Sequence, residues 1–424
     1  MMMRQSLPAA RVLAAVLALA VTMPAAEEFK FSAYLKNFSM MFRLPEPLSA
    51  EGTANQPLLG LSNTRLRLSI SYAPTENLTF LAADDVSPRI QDPFFFETSP
   101  FIIAPEAGNY RMADFRTPLL PGPDDTAGSF GLYHNLDRFY VKVKMKFGDL
   151  ILGRQPVAWG SGRVTNPTDI IAPFTFHELD KEERFGVDAV RLRIPLSTLS
   201  EFDAGYVFGQ DARFSESAFF LRTKVHWLKT DLTVLLLGFQ EDVLLGLDLA
   251  RAVGGSGVWL EAATVFPGAL NEETPKASRY ARFTAGIDRS LGSRVYGFLE
   301  YHFNSAGASH PEGYTSLFAQ PAYSRGTAYL MGRHYLSSGL TFQATPLLSA
   351  TGLIIWNLRD GSFALSPQAE YNISEDIYLG AGCYLGLGRC PKTSLFDRTG
   401  VIPALRSEFG SYPDFAFLSF RVYF

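Results

Sequence analysis

Every second residue from Leu66 to Tyr72 is apolar, and segments with this period of two recur along the whole chain. Leu66, Leu68, Ile70 and Tyr72 leave one face of an extended strand, and Arg65, Arg67, Ser69 and Ser71 leave the other. Pro74 to Asn77 then turn tightly into Leu78-Thr79-Phe80-Leu81-Ala82. The unit repeats from Phe139 to Phe147, through Gly148-Asp149, into Leu150 to Arg154. The chain closes on the same pattern, with Leu418, Phe420, Val422 and Phe424 on one face and Ser419, Arg421 and Tyr423 on the other. A lipid-embedded β-barrel needs strands of this kind, because no unpaired backbone can face hydrocarbon. A soluble β-sandwich also alternates, but it buries its apolar face against a second sheet and seldom uses so many long strands free of proline.

Short and long links alternate between the strands. Tight turns fall at 197–201, 229–230, 254–257, 291–293, 344–346 and 374–376, besides the two above. Longer connections fall at 45–61, 86–135, 157–184, 267–277, 304–327 and 388–413, with shorter ones near Gln210, Glu241 and Arg359-Asp360-Gly361. The pattern predicts an all-β, transmembrane antiparallel barrel of about 18 strands, with roughly 16 as the alternative. Its short turns would be periplasmic and its long loops extracellular, and an even strand number puts both termini in the periplasm.

The amino end supports export. Arg4 and Arg11 precede an apolar run from Val12 to Val21, then the small residues Pro24, Ala25 and Ala26 before Glu27. The run is too short to span a bilayer as a helix. Residues 1–26 therefore read as a signal peptide and 27–424 as a single barrel domain. The 35 Phe, 18 Tyr and 4 Trp suit aromatic girdles at two membrane interfaces. Net charge is −4, and −6 once Arg4 and Arg11 leave, so a nucleic-acid partner is not expected. Two cysteines are too few for a disulfide framework, although Cys383 and Cys390 can pair as a clip in an oxidising compartment.

Sending the apolar face to lipid sends charge inward. Arg65, Arg67, Arg138, Lys142, Lys144, Lys146, Arg191, Arg193, Arg222, Lys224 and His226 form a basic series across the first half of the barrel, and the interleaved strands carry few charges. The inward acids Glu261, Glu300 and Glu370 fall in the second half. Opposed charge across a narrow pore sets up a transverse field, and excess positive potential concentrates anions. The plain alternative is that these groups neutralise one another and brace the wall.

Two loops stand out. The 86–135 connection carries Pro93-Phe94-Phe95-Phe96 and Phe101-Ile102-Ile103, too apolar for water, together with Asp92, Glu97, Glu106, Asp114, Asp124 and Asp125. Folded inward it would narrow the pore; folded outward it would meet a surface partner or lipid. In 157–184, Gly160 and Gly162 permit close packing, and Arg163, Asp169 and Arg184 are candidates for a constriction or for an Arg–Asp brace. Catalysis has little support. The histidines at 134, 177, 226, 302, 310 and 334 are scattered, and only His302, near Ser305 and Glu300, suggests a pair. No metal-binding spacing or haem-attachment motif is present, so no cofactor is expected.

From Phe139 onward the chain also carries Gly153-Arg154-Gln155-Pro156-Val157-Ala158-Trp159-Gly160-Ser161-Gly162-Arg163, Asn166-Pro167-Thr168-Asp169, and Glu183-Arg184-Phe185-Gly186-Val187-Asp188. With Leu299 to Gly307, Gly332-Arg333-His334-Tyr335 and Asn357 to Ser362, these resemble a broad group of Gram-negative outer-membrane barrels, in the style of alginate-export and substrate-specific porins. The resemblance implies an outer-membrane barrel and a channel but no particular substrate; with the basic lumenal series, the expectation is passive diffusion of small polar, in particular anionic, solutes. Its surroundings would be membrane lipid and lipopolysaccharide, its carboxyl-terminal strand ending in Phe424 would engage the barrel-assembly machinery, and it could form homo-oligomers. The alternative is a plugged barrel that serves as a scaffold or assembly partner, including for a cytochrome.

Overall fold

The computed structural model describes residues 28–45, 58–97, 110–113, 118–122, 128–271, 278–393 and 403–424. The leader at 1–26 and much of the 86–135 loop, including Phe101 to Ile103, Glu106, Asp114, Asp124 and Asp125, lie outside the described residues.

The chain forms a closed antiparallel barrel of 18 strands. They are β1 (Glu28–Arg43), β2 (Leu58–Thr75), β3 (Leu78–Gln91), β4 (Phe130–Met145), β5 (Gly148–Pro156) and β6 (Gly186–Pro195). Then follow β7 (Glu201–Val207), β8 (Ala218–Trp227), β9 (Thr230–Phe239), β10 (Asp242–Val253), β11 (Ser256–Phe266) and β12 (Tyr280–Leu291). The last six are β13 (Val295–Asn304), β14 (His334–Gln343), β15 (Leu348–Asn357), β16 (Phe363–Ser374), β17 (Ile377–Leu387) and β18 (Asp414–Tyr423). Each strand pairs with its neighbours in sequence, and β1 closes the ring on β18 with Tyr34 opposite Tyr423 and Asn37 opposite Phe420. Closure leaves no sheet edge, as a hydrocarbon environment demands.

The outer wall follows from the alternation. Leu68, Ile70, Val234, Leu245, Leu340, Ile354 and Leu418 are all exposed on it, a belt that lipid chains would cover. No helix among the described residues is long and apolar enough to cross a membrane. The tight turns fall where their chemistry predicts. Between β10 and β11 the two linking residues, Gly254 and Gly255, take φ of +56° and +80°, the pair of positive values that a two-residue hairpin turn requires.

Several boundaries differ from the sequence reading: β2 already begins at Leu58, and the connection expected at 304–327 runs on to 333, since β14 begins at His334. β3 runs on to Gln91 and β4 already begins at Phe130, so the long loop is shorter at both ends than 86–135. Its ends alternate like wall, and the cross-strand pairs Val86–His134 and Ile90–Phe130 hold them in the sheet. Cys383 and Cys390 are both free thiols. Cys383 lies opposite Ala416 on the outward face of β17, and Cys390 lies beyond the strand end. The rigid strand from Cys383 to Leu387 keeps them apart, since each strand residue advances about 3.3 Å.

Candidate functional site

The segment between β5 and β6, residues 157–185, leaves the wall and crosses the lumen. Gly160 takes a φ of +115°, and a Cβ there would sit 2.5 Å from the Asn166 side-chain oxygen, so the tip closes only with glycine. The far wall receives the tip with two carboxylates. Glu261 accepts from the backbone N–H groups of Ser161 (3.0 Å), Gly162 (3.2 Å) and Thr168 (2.8 Å), and from the Thr168 hydroxyl at 2.7 Å. Glu300 accepts from Arg163 N (2.6 Å), Val164 N (3.1 Å), Thr165 N (3.1 Å) and Trp259 Nε1 (3.2 Å). A carboxylate can be buried when several donors converge on it, and here they do. Arg163 continues to Asp288, 2.5 Å away, and lies over the Trp259 ring at 5.0 Å.

The returning arm of the loop binds the opposite wall. Lys36 on β1 is fully buried between Asp180 (3.1 Å) and Glu182 (2.7 Å). Glu182 also accepts from Arg421 and from the Tyr423 hydroxyl, at 2.8 and 2.7 Å. Burial alone would raise the Glu182 carboxyl, but its hydrogen bonds from Lys36 and Tyr423 outweigh burial and hold it below the ordinary range. Arg184 pairs with Asp169 at 2.9 Å inside the loop. Burial pushes the Asp169 carboxyl up to about 6, with the Arg184 charge opposing.

Above this level the lumen is apolar. Ile170, Ile171 and Phe176 of the inward loop meet Tyr314, Leu317 and Tyr329 of the 305–333 connection, and Phe409 and Tyr412 of the segment before β18. The inward side chains Phe220, Leu235, Leu237 and Tyr335 close the cluster from the wall. Three loops are joined there by acids. Glu408 accepts from Met331 N (2.9 Å), from Asn357 Nδ2 (2.8 Å) and from the Tyr335 hydroxyl. Asp360 accepts from the Tyr314 hydroxyl and from Glu408 N, both at 2.7 Å.

Solved structures share this architecture. Pseudomonas aeruginosa OpdK with vanillate superposes with a TM-score of 0.53 at 8% identity, covering 94% of this chain and 98% of that one. Acinetobacter baumannii OccAB1 gives 0.53 at 10% identity, covering 93% and 96%. Pseudomonas aeruginosa OccD3 (OpdP) gives 0.52 at 10% identity, covering 95% and 92%. The fold is that of an outer-membrane porin. No protein-family model matches the chain, and neither does any curated protein sequence.

Within this porin fold, Arg65, Arg67, Arg138, Lys142, Lys144, Arg191, Arg193, Arg222 and Lys224 all face inward, and Lys146 lies just past the end of β4. Glu261, Glu300 and Glu370 also face inward. The expectation that the interleaved strands carry few charges does not hold. Asp149 on β5, Glu201 and Asp203 on β7 and Asp231 on β9 sit between the basic strands and pair with Lys142, Arg193, Arg191 and Lys224 respectively. Arg67 lies sealed between Asp85 (3.2 Å) and Asp137 (2.8 Å), and Arg138 between Asp137 and Glu183. These arginines brace the wall rather than line open water. Glu261 and Glu300, at 0% and 1% exposure, are likewise loop anchors and not open pore acids. Glu370 pairs with Arg421.

Of the described parts of the long loop, Phe95 and Arg111 pack inward, whereas Met112, Leu119 and Leu120 are exposed and 118–120 pair along β4. Phe95 meets the inward Phe42 with ring centres 5.3 Å apart, and Arg111, buried, donates to Asn135 Oδ1 at 2.7 Å. His302 hydrogen-bonds Thr284 at 2.9 Å, while the Ser305 hydroxyl accepts from Ala281 N, so the two do not form a catalytic pair. Sequence reasoning missed Lys36, Asp180, Glu182 and the Glu408–Asp360 junction. Lys36 was legible as a charge on the inward face of β1, between Tyr34 and Phe38; the others lie in loops that carry no period.

Proposed function

We propose that this chain is an outer-membrane channel through which small polar solutes diffuse, with a preference for anions that carry a carboxylate. One observation carries the anionic part. The lumenal acids Glu261 and Glu300 are sealed under the inward loop, whereas Lys144, Lys146 and Arg163 remain exposed, Arg163 at 45% in its side chain. Lys144 and Lys146 have no ion-pair partner among the described residues. Glu182, Glu183 and Glu370 stay partly exposed in the lumen and supply the negative side of a transverse field. The vanillate in the OpdK structure is an anion of the class such a field would orient. Export with removal of residues 1–26 belongs to the same proposal, and an intact mass beginning at Glu27 would support it.

The test is conductance of the purified barrel in a planar bilayer, with the reversal potential read across a salt gradient. The expected result is stable current with anion preference, shifted toward cations in the double variant Lys144→Gln, Lys146→Gln. Cation preference in the native protein would overturn the anionic reading. A folded barrel that passes no current would favour the second reading, a plugged scaffold, for which the apolar core across the extracellular half of the lumen speaks.

A further inference from the structure

Outside the lumen core, the extracellular rim holds a cavity of about 440 Å³ between the tops of β12, β13 and β14 and the short helical turns of the 305–333 connection. Its size falls in the range of small-molecule sites. Two guanidinium-bearing residues, Arg279 and Arg333, line it with Ser278, Ser305, Ser316 and Gln320, and no carboxylate occurs among its described lining residues. The wall holds Arg333, and Arg279 lines the cavity as an exposed residue. Arg279 immediately precedes β12, whose first residue, Tyr280, is fixed inward by a 2.7 Å hydrogen bond to Thr327. Arg333 accepts from Asn304 N through its carbonyl at 2.9 Å and donates Nε to the Gly307 carbonyl at 2.7 Å. That leaves its two terminal nitrogens uncommitted among the described contacts, and Arg279 has no ion pair among the described residues. The Ser305 hydroxyl accepts from Ala281 N and keeps its own proton to donate.

We infer that this cavity binds a small anion through a carboxylate or phosphate group. Both arginines line one concavity without a carboxylate among its described lining residues, and planar guanidinium forks fit carboxylate and phosphate oxygens in pairs. The serines and Gln320 then take the remaining oxygens or hydroxyls of the ligand. The anion comes either from a free solute captured before entry or from a phosphorylated sugar of the surrounding outer leaflet. Capture before entry rests on the channel reading above; the binding itself does not.

Calorimetric titration of the purified, folded barrel in detergent tests this, with inorganic phosphate and benzoate as probes and lipid A as competitor. Saturable one-site binding of either probe is expected. Arg279→Gln should weaken it about tenfold or more, the usual worth of one charge-assisted hydrogen bond. Ser316→Phe, which fills the cavity from a loop position, should abolish it. Displacement of phosphate by lipid A would assign the site to a lipid headgroup of the same chemistry, and indifference to lipid A would assign it to free solutes. Absence of saturable binding by all three, or binding unchanged in both variants, would overturn the inference. Lost binding beside intact anion-selective current would discard this site alone. Binding beside a silent bilayer would discard the channel reading alone.

Discussion

Replacing Glu300 by Ala should loosen the inward loop without unfolding the barrel. The carboxylate gathers four donors at 2.6 to 3.2 Å, three of them consecutive backbone N–H groups of Arg163, Val164 and Thr165. A hydrogen bond to a charged group contributes roughly 1.5–3 kcal/mol net, so four independent bonds would sum to about 6–12 kcal/mol. They are not independent. One carboxylate serves all four, its own burial is unfavourable, and water enters the space it leaves. A weakening of loop docking by about 2–4 kcal/mol is the reasonable expectation, or roughly 30- to 1,000-fold in the undocked population. Glu261 still holds Ser161, Gly162 and Thr168, so the tip should fluctuate about that second anchor. Two assays read this. Single-channel current should become larger and noisier, and trypsin should begin to cut after Arg163 or Lys181, while heat-modifiable gel mobility shows a closed barrel. Glu300→Gln should fall between, because one oxygen still accepts while the amide turns a donor toward backbone N–H groups. A folded Glu300→Ala barrel with native current and native protease resistance would refute the anchoring role.

Three further outcomes are expected. Burial pushes the Glu408 carboxyl up to about 7, against its hydrogen bonds from Tyr335 and Met331. A raised folded pKa adds stability that is complete below the ordinary carboxylate range and lost as pH rises through about 7. The extracellular loops should therefore resist proteases better in mild acid than in mild alkali, and Glu408→Gln should flatten that dependence; an unchanged slope would dismiss Glu408 as its source. Arg67→Met leaves Asp85 and Asp137 buried without their shared cation, a loss of about 3–5 kcal/mol by analogy with broken buried pairs. Refolding yield in detergent should fall, and Asp85→Asn in the same chain should restore part of it. Cys383 and Cys390 should each take one maleimide in denaturant without reductant, so an intact mass lacking both adducts and 2 Da below the reduced chain would contradict free thiols.

The wall was legible because its physics is local. Leu66, Leu68, Ile70 and Tyr72 face lipid for the same reason that Arg65 and Arg67 do not, and a period of two needs no knowledge of the partner strand. Pair partners need exactly that knowledge in register, and there the reading stopped. Arg191 is neutralised by Asp203 because β6 and β7 are joined at Arg191 opposite Gly205 and Arg193 opposite Asp203, which places the Asp203 carboxylate one step diagonally from Arg191. Nothing in the spacing of twelve residues between them announces this. The same limit hid the role of Glu261 and Glu300, whose donors come from about 100 and 136 residues away in sequence along a loop without periodicity.

The sealed arginines and the anchored acids change which residues can select a solute. A charge acts on a permeating ion through the water it shares with it, and a buried, paired charge presents little net field there. Arg67, Arg138, Glu261 and Glu300 are therefore poor candidates for selectivity despite facing inward, since each is spent on a neighbour or on the loop. On the channel reading proposed above, Lys144, Lys146 and Arg163 on one side, with the partly exposed Glu182, Glu183 and Glu370 as the negative counterpart, are the charges left to act on a solute. Arg163 differs from the lysines in that it belongs to the loop, so its position depends on Glu300. Neutralising Lys144 and Lys146 should change reversal potential with conductance nearly constant, whereas Glu300→Ala should change both together. A Glu300→Ala channel whose conductance rises while its ion preference stays native would place Arg163 outside the permeation path.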